Sequence, residues 1–278
     1  MDWLAKVTLP YIVVIAVALF AIRAVLGRHK SSIAKSAAEI VESLLIAVVL
    51  VFLVIRPFVV QSFYIPTGSM EPTLLGHDTP TPAHDHILVN KFVYRFRDPQ
   101  RGDIVVFKSP PEASPDGTES DFIKRLIGIP GDVISVTPGY VVIDGAKYDH
   151  SDLREMLPGG SLYEMPTIKL TQNGAIVNGK AVSTEEFARM LGQPNAKGLK
   201  IIPGKVIRNG KALDEPYTME DPDYEMAPVK VPAGRLFMMG DNRNNSLDSH
   251  AWGTLDANRV IGKSLFRFWP LNRIGLPR

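Results

Sequence analysis

The sequence contains no cysteine among its 278 residues, and its charges are nearly balanced. The absence of cysteine excludes a thiol nucleophile, thiolate metal sites and a disulfide framework, and it leaves the compartment open. The 31 lysines and arginines against 29 acidic residues give a net charge of +2, which is not the basic footprint of a nucleic-acid-binding protein. We therefore expect no nucleic-acid partner. With 45% apolar and 22% charged residues, the composition is that of a folded protein of one or two domains.

Long apolar runs are confined to the first 60 residues of the chain. They cover about residues 9–26 and 43–60, and each is close to the roughly 17–25 residues of a membrane-spanning helix. We predict a membrane anchor over residues 1–60, made of these two spans and a linker that is basic at Arg28, Lys30 and Lys35. The positive-inside rule places the linker in the cytoplasm and residues 61–278 on the extracytoplasmic side.

Two alternatives remain for this amino-terminal part. In the first, residues 9–26 are a cleaved signal peptide, but Met1-Asp2-Trp3 is not a basic leader and no small-residue cleavage site follows. In the second, only residues 43–60 span the membrane, and the amino terminus is then cytoplasmic. The chain after residue 60 is extracytoplasmic with either one or two spans.

The sequence after residue 60 is typical of a β protein. Short β-branched or aromatic runs are bounded by Gly, Pro and Asp, and three dipeptides have the composition of two-residue hairpin turns: Asp144-Gly145, Asn178-Gly179 and Asn209-Gly210. Scattered prolines leave little room for long helices. We predict a mainly β fold, with an antiparallel sheet or barrel as the main domain and an inserted α+β subdomain.

A weak internal repeat with an offset of 34 residues marks the predicted insertion. Ile143-Asp144-Gly145 precedes Met156-Leu157 by the same interval at which Val177-Asn178-Gly179 precedes Met190-Leu191. In the second copy, Ser183 and Glu186 match a capping box and Gly192 a helix stop, so each copy is predicted to be a hairpin followed by a short helix. Chance similarity is the alternative. We predict a main β-domain formed by residues 61–134 and 229–278, and an inserted subdomain at 135–228.

Three segments carry the reactive side chains. Ser69 follows a glycine between two prolines, soon after the second apolar run, and is therefore close to the predicted membrane surface. Lys124 alternates with apolar residues in a predicted strand, where burial would lower its pKa and make it a general base. The third segment, residues 240–250, is dense in hydrogen-bonding groups that could order such a base.

Taken in order, these segments resemble the bacterial type I signal peptidases, membrane-anchored serine proteases with a Ser/Lys dyad. The resemblance covers most of the chain and is carried by Gly68-Ser69-Met70, Arg101-Gly102-Asp103, Lys124-Arg125 with Gly128, Pro130-Gly131-Asp132, Gly240-Asp241-Asn242-Arg243 with Ser246 and Asp248-Ser249, Trp252-Gly253 and Arg267-Phe268-Trp269-Pro270. Several such boxes in the right order are far more specific than any one of them.

The resemblance implies a role for each matching residue. Ser69 would be the nucleophile and Lys124 the general base, with the Ser69 N–H and the Thr67 hydroxyl as the oxyanion hole. Ser246 would orient the lysine, and Asp248 and Arg243 would form a supporting ion pair. Shallow apolar pockets would be lined by Phe63, Ile65, Val106 and Ile123. The implied substrates are membrane-inserted preproteins cleaved after an Ala-x-Ala-like site, without a cofactor, at the outer face of the bacterial cytoplasmic membrane. The oligomeric state stays open.

The chain departs from the family pattern in two places. His250 stands where arginine is common, which allows an alternative triad of Ser69, His250 and Asp248. The stretch from Gly76 to His86 looks long and contains potential metal ligands, His77, Asp78, His84, Asp85 and His86, although its Thr-Pro-Thr-Pro run favours a mobile loop without metal.

Two other functions compete with a signal peptidase. One is a self-cleaving repressor-type peptidase with the same dyad, which would need a DNA-binding domain where the apolar runs stand. The other is a membrane-tethered β-domain without activity, an inactive relative that binds export partners.

Overall fold

The computed structural model describes residues 9–29, 31–52, 59–76, 84–114, 117–157 and 166–277. Two helices come first, α1 (Leu9–Leu26) and α2 (Ser32–Val49), which pack against each other and are joined by an ion pair between Arg23 and Glu42. Within the described ranges, no helix combines the length and the apolar character needed to cross a membrane. The predicted span at 9–26 coincides with α1.

The predicted span at 43–60 does not correspond to a single helix. Helix α2 begins at Ser32, so much of the predicted linker is helical, and residues 53–58 lie outside the described residues. The apolar run and the helix differ because polar helix formers such as Lys35 and Glu39 extend a helix as readily as apolar residues do.

The rest of the chain is mainly β. The strands of the described residues are β1 (Val60–Tyr64), β2 (His86–Asn90), β3 (Ile104–Lys108), β4 (Asp121–Gly128), β5 (Val133–Thr137), β6 (Tyr140–Ile143), β7 (Ala146–Tyr148), β8 (Ile168–Thr171), β9 (Gly174–Val177), β10 (Lys180–Ser183), β11 (Leu199–Ile202), β12 (Lys205–Arg208), β13 (Lys211–Ala212), β14 (Met226–Lys230), β15 (Arg235–Met239), β16 (Leu255–Asp256) and β17 (Val260–Trp269). Short helices are α3 (His150–Met156), α4 (Thr184–Met190) and α5 (Ser249–Trp252). The predicted mainly β class is confirmed.

The largest sheet has the order β1-β2-β17-β3-β4-β15-β16, and its neighbouring strands pair antiparallel. The chain leaves this sheet after β4 and returns to it with β15. The strand that follows β4 and the strand that precedes β15, β5 and β14, pair with each other. They belong to a second sheet with the order β13-β12-β5-β14. The predicted domain boundaries at 134/135 and 228/229 lie inside β5 and β14 and stay a prediction.

All three predicted hairpin turns are confirmed. Asp144, Asn178 and Asn209 have φ of 49°, 49° and 53°, and the glycine after each also has a positive φ. They connect β6 to β7, β9 to β10 and β12 to β13. This is the two-residue turn whose twist matches that of the strands it joins.

The 34-residue repeat is real at the level of structure. Helix α3 begins at His150 and α4 at Thr184, each after a hairpin, and each is capped by the residue before it, Asp149 or Ser183. In each copy, the strand before the turn is the central strand of a three-stranded sheet, β11-β6-β7 or β10-β9-β8. Apolar residues of both copies form one common core, which includes Val141, Leu153, Leu170 and Phe187.

Candidate active site

Ser69 lies in a short 3₁₀ helix, Gly68–Met70, that follows β1. The preceding Thr67 is extended, with φ −132° and ψ 154°, so the chain turns sharply just before the serine. Met70 and the nearby Leu74 are completely buried in the core beneath the sheet. They fix the backbone of the turn, and Ser69 itself is only 8% exposed.

Lys124 is located on β4, where it faces Val105 of β3. Its Nζ donates a hydrogen bond of 2.7 Å to Ser69 Oγ, and only 4% of the residue is exposed. The Phe122 ring covers the amine from one side, with 5.4 Å between Nζ and the ring centroid. Sequence reasoning predicted this pair of residues, and the fold brings them together across 55 positions of the chain.

Burial is the dominant electrostatic influence on Lys124. It lowers the pKa of the ammonium from the ordinary 10.5 to about 8, while the charges of Asp248 and Asp241 act in the opposite direction. At pH 7, about one tenth of the amine is therefore neutral, against roughly one in 3,000 for an ordinary lysine. In its neutral form, the amine can accept a proton from the serine hydroxyl across this 2.7 Å contact.

Thr67, predicted for the oxyanion hole, contacts Ser69 directly. Its hydroxyl donates a hydrogen bond of 3.3 Å to Ser69 Oγ. The Thr67 residue is exposed and lines the cleft beside the serine. To stabilise an oxyanion there, the side chain would rotate away from the serine oxygen.

Residues 240–248, here called the support loop, lie directly behind the serine turn. Asn242 donates from its backbone N–H to the Ser69 carbonyl at 3.2 Å and from Nδ2 to the Gly68 carbonyl at 3.1 Å. Gly240 lies so close that a Cβ there would collide with the Ser69 carbonyl oxygen and with Ser246 Oγ. The glycine is required by this close approach of two backbones.

The predicted role of Ser246 is not matched by a hydrogen bond. Its Oγ is buried beside Gly240 and has no partner among the described residues. A buried hydroxyl without a partner is uncommon, and this one is next to the proposed reacting groups.

Asp248 is fully buried and pairs with His250. One carboxylate oxygen accepts from the Gly240 N–H at 2.8 Å, and the other lies 2.8 Å from His250 Nδ1. The His250 ring stacks on Tyr224 with 4.4 Å between the centroids. The described residues contain no hydrogen bond between His250 and Ser69, so the alternative triad lacks its central contact.

The expected ion pair between Arg243 and Asp248 is wrong. The fully buried Arg243 instead makes a bidentate pair with Glu215, at 2.6 and 2.7 Å, and donates from Nε to the Gly240 carbonyl. A buried guanidinium needs a carboxylate that can face its planar fork. Asp248 is occupied by Gly240 and His250, so it is not available for this purpose.

The predicted pocket residues share one apolar cluster beneath the large sheet. Phe63, Ile65, Val106 and Ile123 all belong to it, and Ile65 and Val106 are only 2% and 1% exposed. A cleft of about 360 Å³ runs past the serine. It is lined mainly by the Ser69 turn, the exposed end of β4 and the support loop: Pro66, Thr67, Ser69, Asp121, Phe122, Ile123, Lys124 and Leu247. Ile123 is the one predicted pocket residue among its lining residues.

The candidate metal ligands are engaged elsewhere or undescribed. His77 and Asp78 lie outside the described residues. His84 Nδ1 lies 2.8 Å from the Ile65 carbonyl, and Asp85 pairs with Arg267 and Arg273. In the described ranges, no cluster of three or more potential ligands is suited to a metal ion.

Sequence reasoning missed the contribution of Glu215 and of the neighbouring Tyr217. The Tyr217 ring lies 3.9 Å from the guanidinium carbon of Arg125, which in turn makes a bidentate pair with Asp241. Acidic residues are concentrated between positions 214 and 225. This concentration is a signal that could have drawn attention to the segment, because Arg243 of the support loop needs a carboxylate partner.

Comparison with known proteins identifies the family of this chain. The family model for signal peptidase, peptidase S26, matches residues 37–269. The chain belongs to this family. It is 32% identical over 232 residues to "Probable signal peptidase I-2" of Synechocystis, covering 84% of this chain and 73% of the relative. It is 34% identical to "Signal peptidase I" of Leptolyngbya laminosa, covering 80% and 74%, and 31% identical to "Signal peptidase I" of Aquifex aeolicus, covering 83% of each chain.

Proposed function

We propose that this chain is a membrane-bound serine endopeptidase that removes N-terminal signal peptides from exported preproteins. The observation that carries the proposal is the buried contact of 2.7 Å between Lys124 Nζ and Ser69 Oγ. Family membership and the signal peptidase names of its relatives support the substrate class. Cleavage after an Ala-x-Ala-like site is part of the proposal.

In the proposed mechanism, the neutral Lys124 amine accepts the proton of Ser69 as the serine oxygen attacks the scissile carbonyl. The Ser69 N–H and the rotated Thr67 hydroxyl donate hydrogen bonds to the negatively charged oxygen of the tetrahedral intermediate. A donor of this kind typically lowers the barrier by about 3–4 kcal/mol. The lysine then protonates the leaving amine. It next takes a proton from the water that attacks the acyl-enzyme, and it returns this proton to Ser69 Oγ as the ester bond breaks.

The support loop holds the serine turn in this mechanism. Asn242 binds the carbonyls of Gly68 and Ser69, and Gly240 is in contact with both Ser69 and Ser246. Ser246 has a free buried hydroxyl and is proposed to orient Lys124 once substrate has entered. Asp248 holds Gly240 in place, and Arg243 does so from the other side.

We also propose that the protein associates with the bacterial cytoplasmic membrane and acts on its extracytoplasmic side. Helices α1 and α2 expose many large apolar side chains, among them Tyr11, Val14, Phe20, Ile33 and Ile40. An apolar surface of this extent marks contact with lipid or with another protein. Retention of the full-length chain in membranes washed with alkaline carbonate would support lipid insertion, and its release would contradict it.

The test of the proposed activity is cleavage of a preprotein by the detergent-solubilised full-length protein. We expect Ser69→Ala and Lys124→Ala to lose nearly all cleavage at the signal junction. The matched controls Ser62→Ala and Lys108→Ala, both at exposed positions of the same sheet, should cleave normally.

Two results would redirect the assignment. Cleavage by Lys124→Ala together with its loss in His250→Ala would favour the triad, despite the present geometry. Failure of the unaltered protein on several preproteins that a known signal peptidase cleaves would favour a non-enzymatic export partner.

A further inference from the structure

Residues 214–223 form a segment without regular structure that contacts both the repeat-containing region and the support loop. This segment, here called the strap, runs between β13 and β14. At its far end it is fastened to the repeats, because the Asp221 carboxylate accepts hydrogen bonds from Leu170 N–H and Gly204 N–H and lies 3.0 Å from His150 Nε2. Glu220 accepts from Ile168 N–H and pairs with Arg154.

The near end of the strap is in contact with the support loop. Both oxygens of Glu215 are bound to the Arg243 guanidinium, whose Nε holds the Gly240 carbonyl. Arg243 is completely buried, so Glu215 is the carboxylate that compensates its charge. Removing that carboxylate would leave a buried cation beside Gly240.

Tyr217 links this pair to a second one. Its hydroxyl donates to Glu215 Oε1 at 2.8 Å, and its ring covers Arg125 at 3.9 Å. Arg125 holds both oxygens of Asp241, the residue after Gly240. The strap therefore contacts both arginines that hold the start of the support loop.

We propose that Glu215 and Tyr217 are positioning residues, which set the support loop, and through it the Ser69 turn, in the geometry for catalysis. This inference rests on the proposed peptidase function. Neither residue lines the cleft, and both act through arginines that touch the loop. Their loss should therefore reduce turnover more than it reduces substrate binding.

The variant that tests this is Glu215→Gln, with Asp132→Asn as the matched control. Asp132 is a buried carboxylate that likewise holds an arginine with both oxygens, Arg101 at 2.8 Å, but none of its hydrogen bonds within the described residues goes to the support loop. For Glu215→Gln we expect kcat for preprotein cleavage to fall about tenfold or more while KM changes less than about threefold. Asp132→Asn should keep the kcat of the unaltered protein. Tyr217→Phe keeps the ring over Arg125, and its kcat should lie between those of Glu215→Gln and Asp132→Asn.

Hydrogen exchange supplies a measurement that does not depend on activity. In Glu215→Gln, amide exchange should rise in peptides covering residues 240–248 and 68–70, and in Asp132→Asn it should not. Unchanged exchange there, or a kcat equal to that of Asp132→Asn, would overturn the positioning role. An unaltered protein that cleaves no preprotein would refute the proposed function, and the exchange data would still decide whether the strap positions the loop.

Discussion

Replacement of Lys124 by methionine should make the folded protein more stable at neutral pH while it abolishes cleavage. The two side chains have similar length, and methionine adapts well to apolar surroundings. Folding transfers Lys124 from water to a site where only 4% of it is exposed, which disfavours its charged form. Methionine removes that penalty, so the usual loss of stability on altering a buried residue should be reversed.

The size and the pH range of the effect follow from the shifted pKa. The ordinary value is 10.5 and the value in the folded protein is about 8. Below pH 8 both folded and unfolded chains carry the proton, and the whole penalty of about 3 kcal/mol is present. Between pH 8 and 10.5 the unfolded chain binds more protons than the folded one, so the unaltered protein gains stability as the pH rises. Above that range the penalty is absent.

The measurement is calorimetric unfolding of both proteins, full-length and in detergent, at pH 7 and pH 10. At pH 7 we expect the methionine variant to unfold roughly 5–10 °C higher, with most of that difference lost at pH 10. Lys108→Met, at an exposed position on the neighbouring strand, should show no such pH-dependent gain. A difference for Lys124→Met that is equal at the two pH values would refute the argument that burial keeps this amine partly neutral.

Three further outcomes are expected from the same site. The kcat/KM of the unaltered protein should rise with pH to a plateau above an apparent pKa of about 8, and a rise centred near about 6.5 would instead indicate a histidine base. Thr67→Val, assayed on the same preprotein, should lower kcat by about 100-fold with little change in KM, because it removes one proposed oxyanion donor. Gly240→Ala should lower kcat by about 100-fold or more, since the added methyl group would displace the Ser69 backbone. A fully active alanine variant would contradict the close packing at Gly240.

The features that could be predicted from the sequence are those set by neighbouring residues. Asp-Gly and Asn-Gly turns require two successive positive φ angles, which few other dipeptides adopt, so the hairpins were predictable one by one. The capping of α4 by Ser183 is equally local. The start of α2 was not predictable in this way, because the hydropathy of an apolar run says nothing about the polar residues that can extend its helix.

Contacts between distant segments were predictable only where the family resemblance supplied them. It paired Ser69 with Lys124 correctly, but it offered Asp248 as the partner of Arg243. The actual partner, Glu215, lies in a segment with no periodic pattern, and no local rule connects it with the support loop. The role of the four predicted pocket residues stays a prediction, because the resemblance does not say how deeply each of them is buried. Ile65 and Val106 face the buried side.

The single core shared by the two hairpin–helix units limits how this region can change in length. Helix α3 packs with residues of the second unit as well as its own, through the cluster that contains Leu153 and Phe187. Deleting one unit would leave the apolar face of the other in water, so a stable domain would keep both or lose both. Length differences among natural or engineered variants should therefore come as whole pairs of units or as changes in the connecting loops. A half-size version is expected to be recovered only as a dimer that rebuilds the missing half.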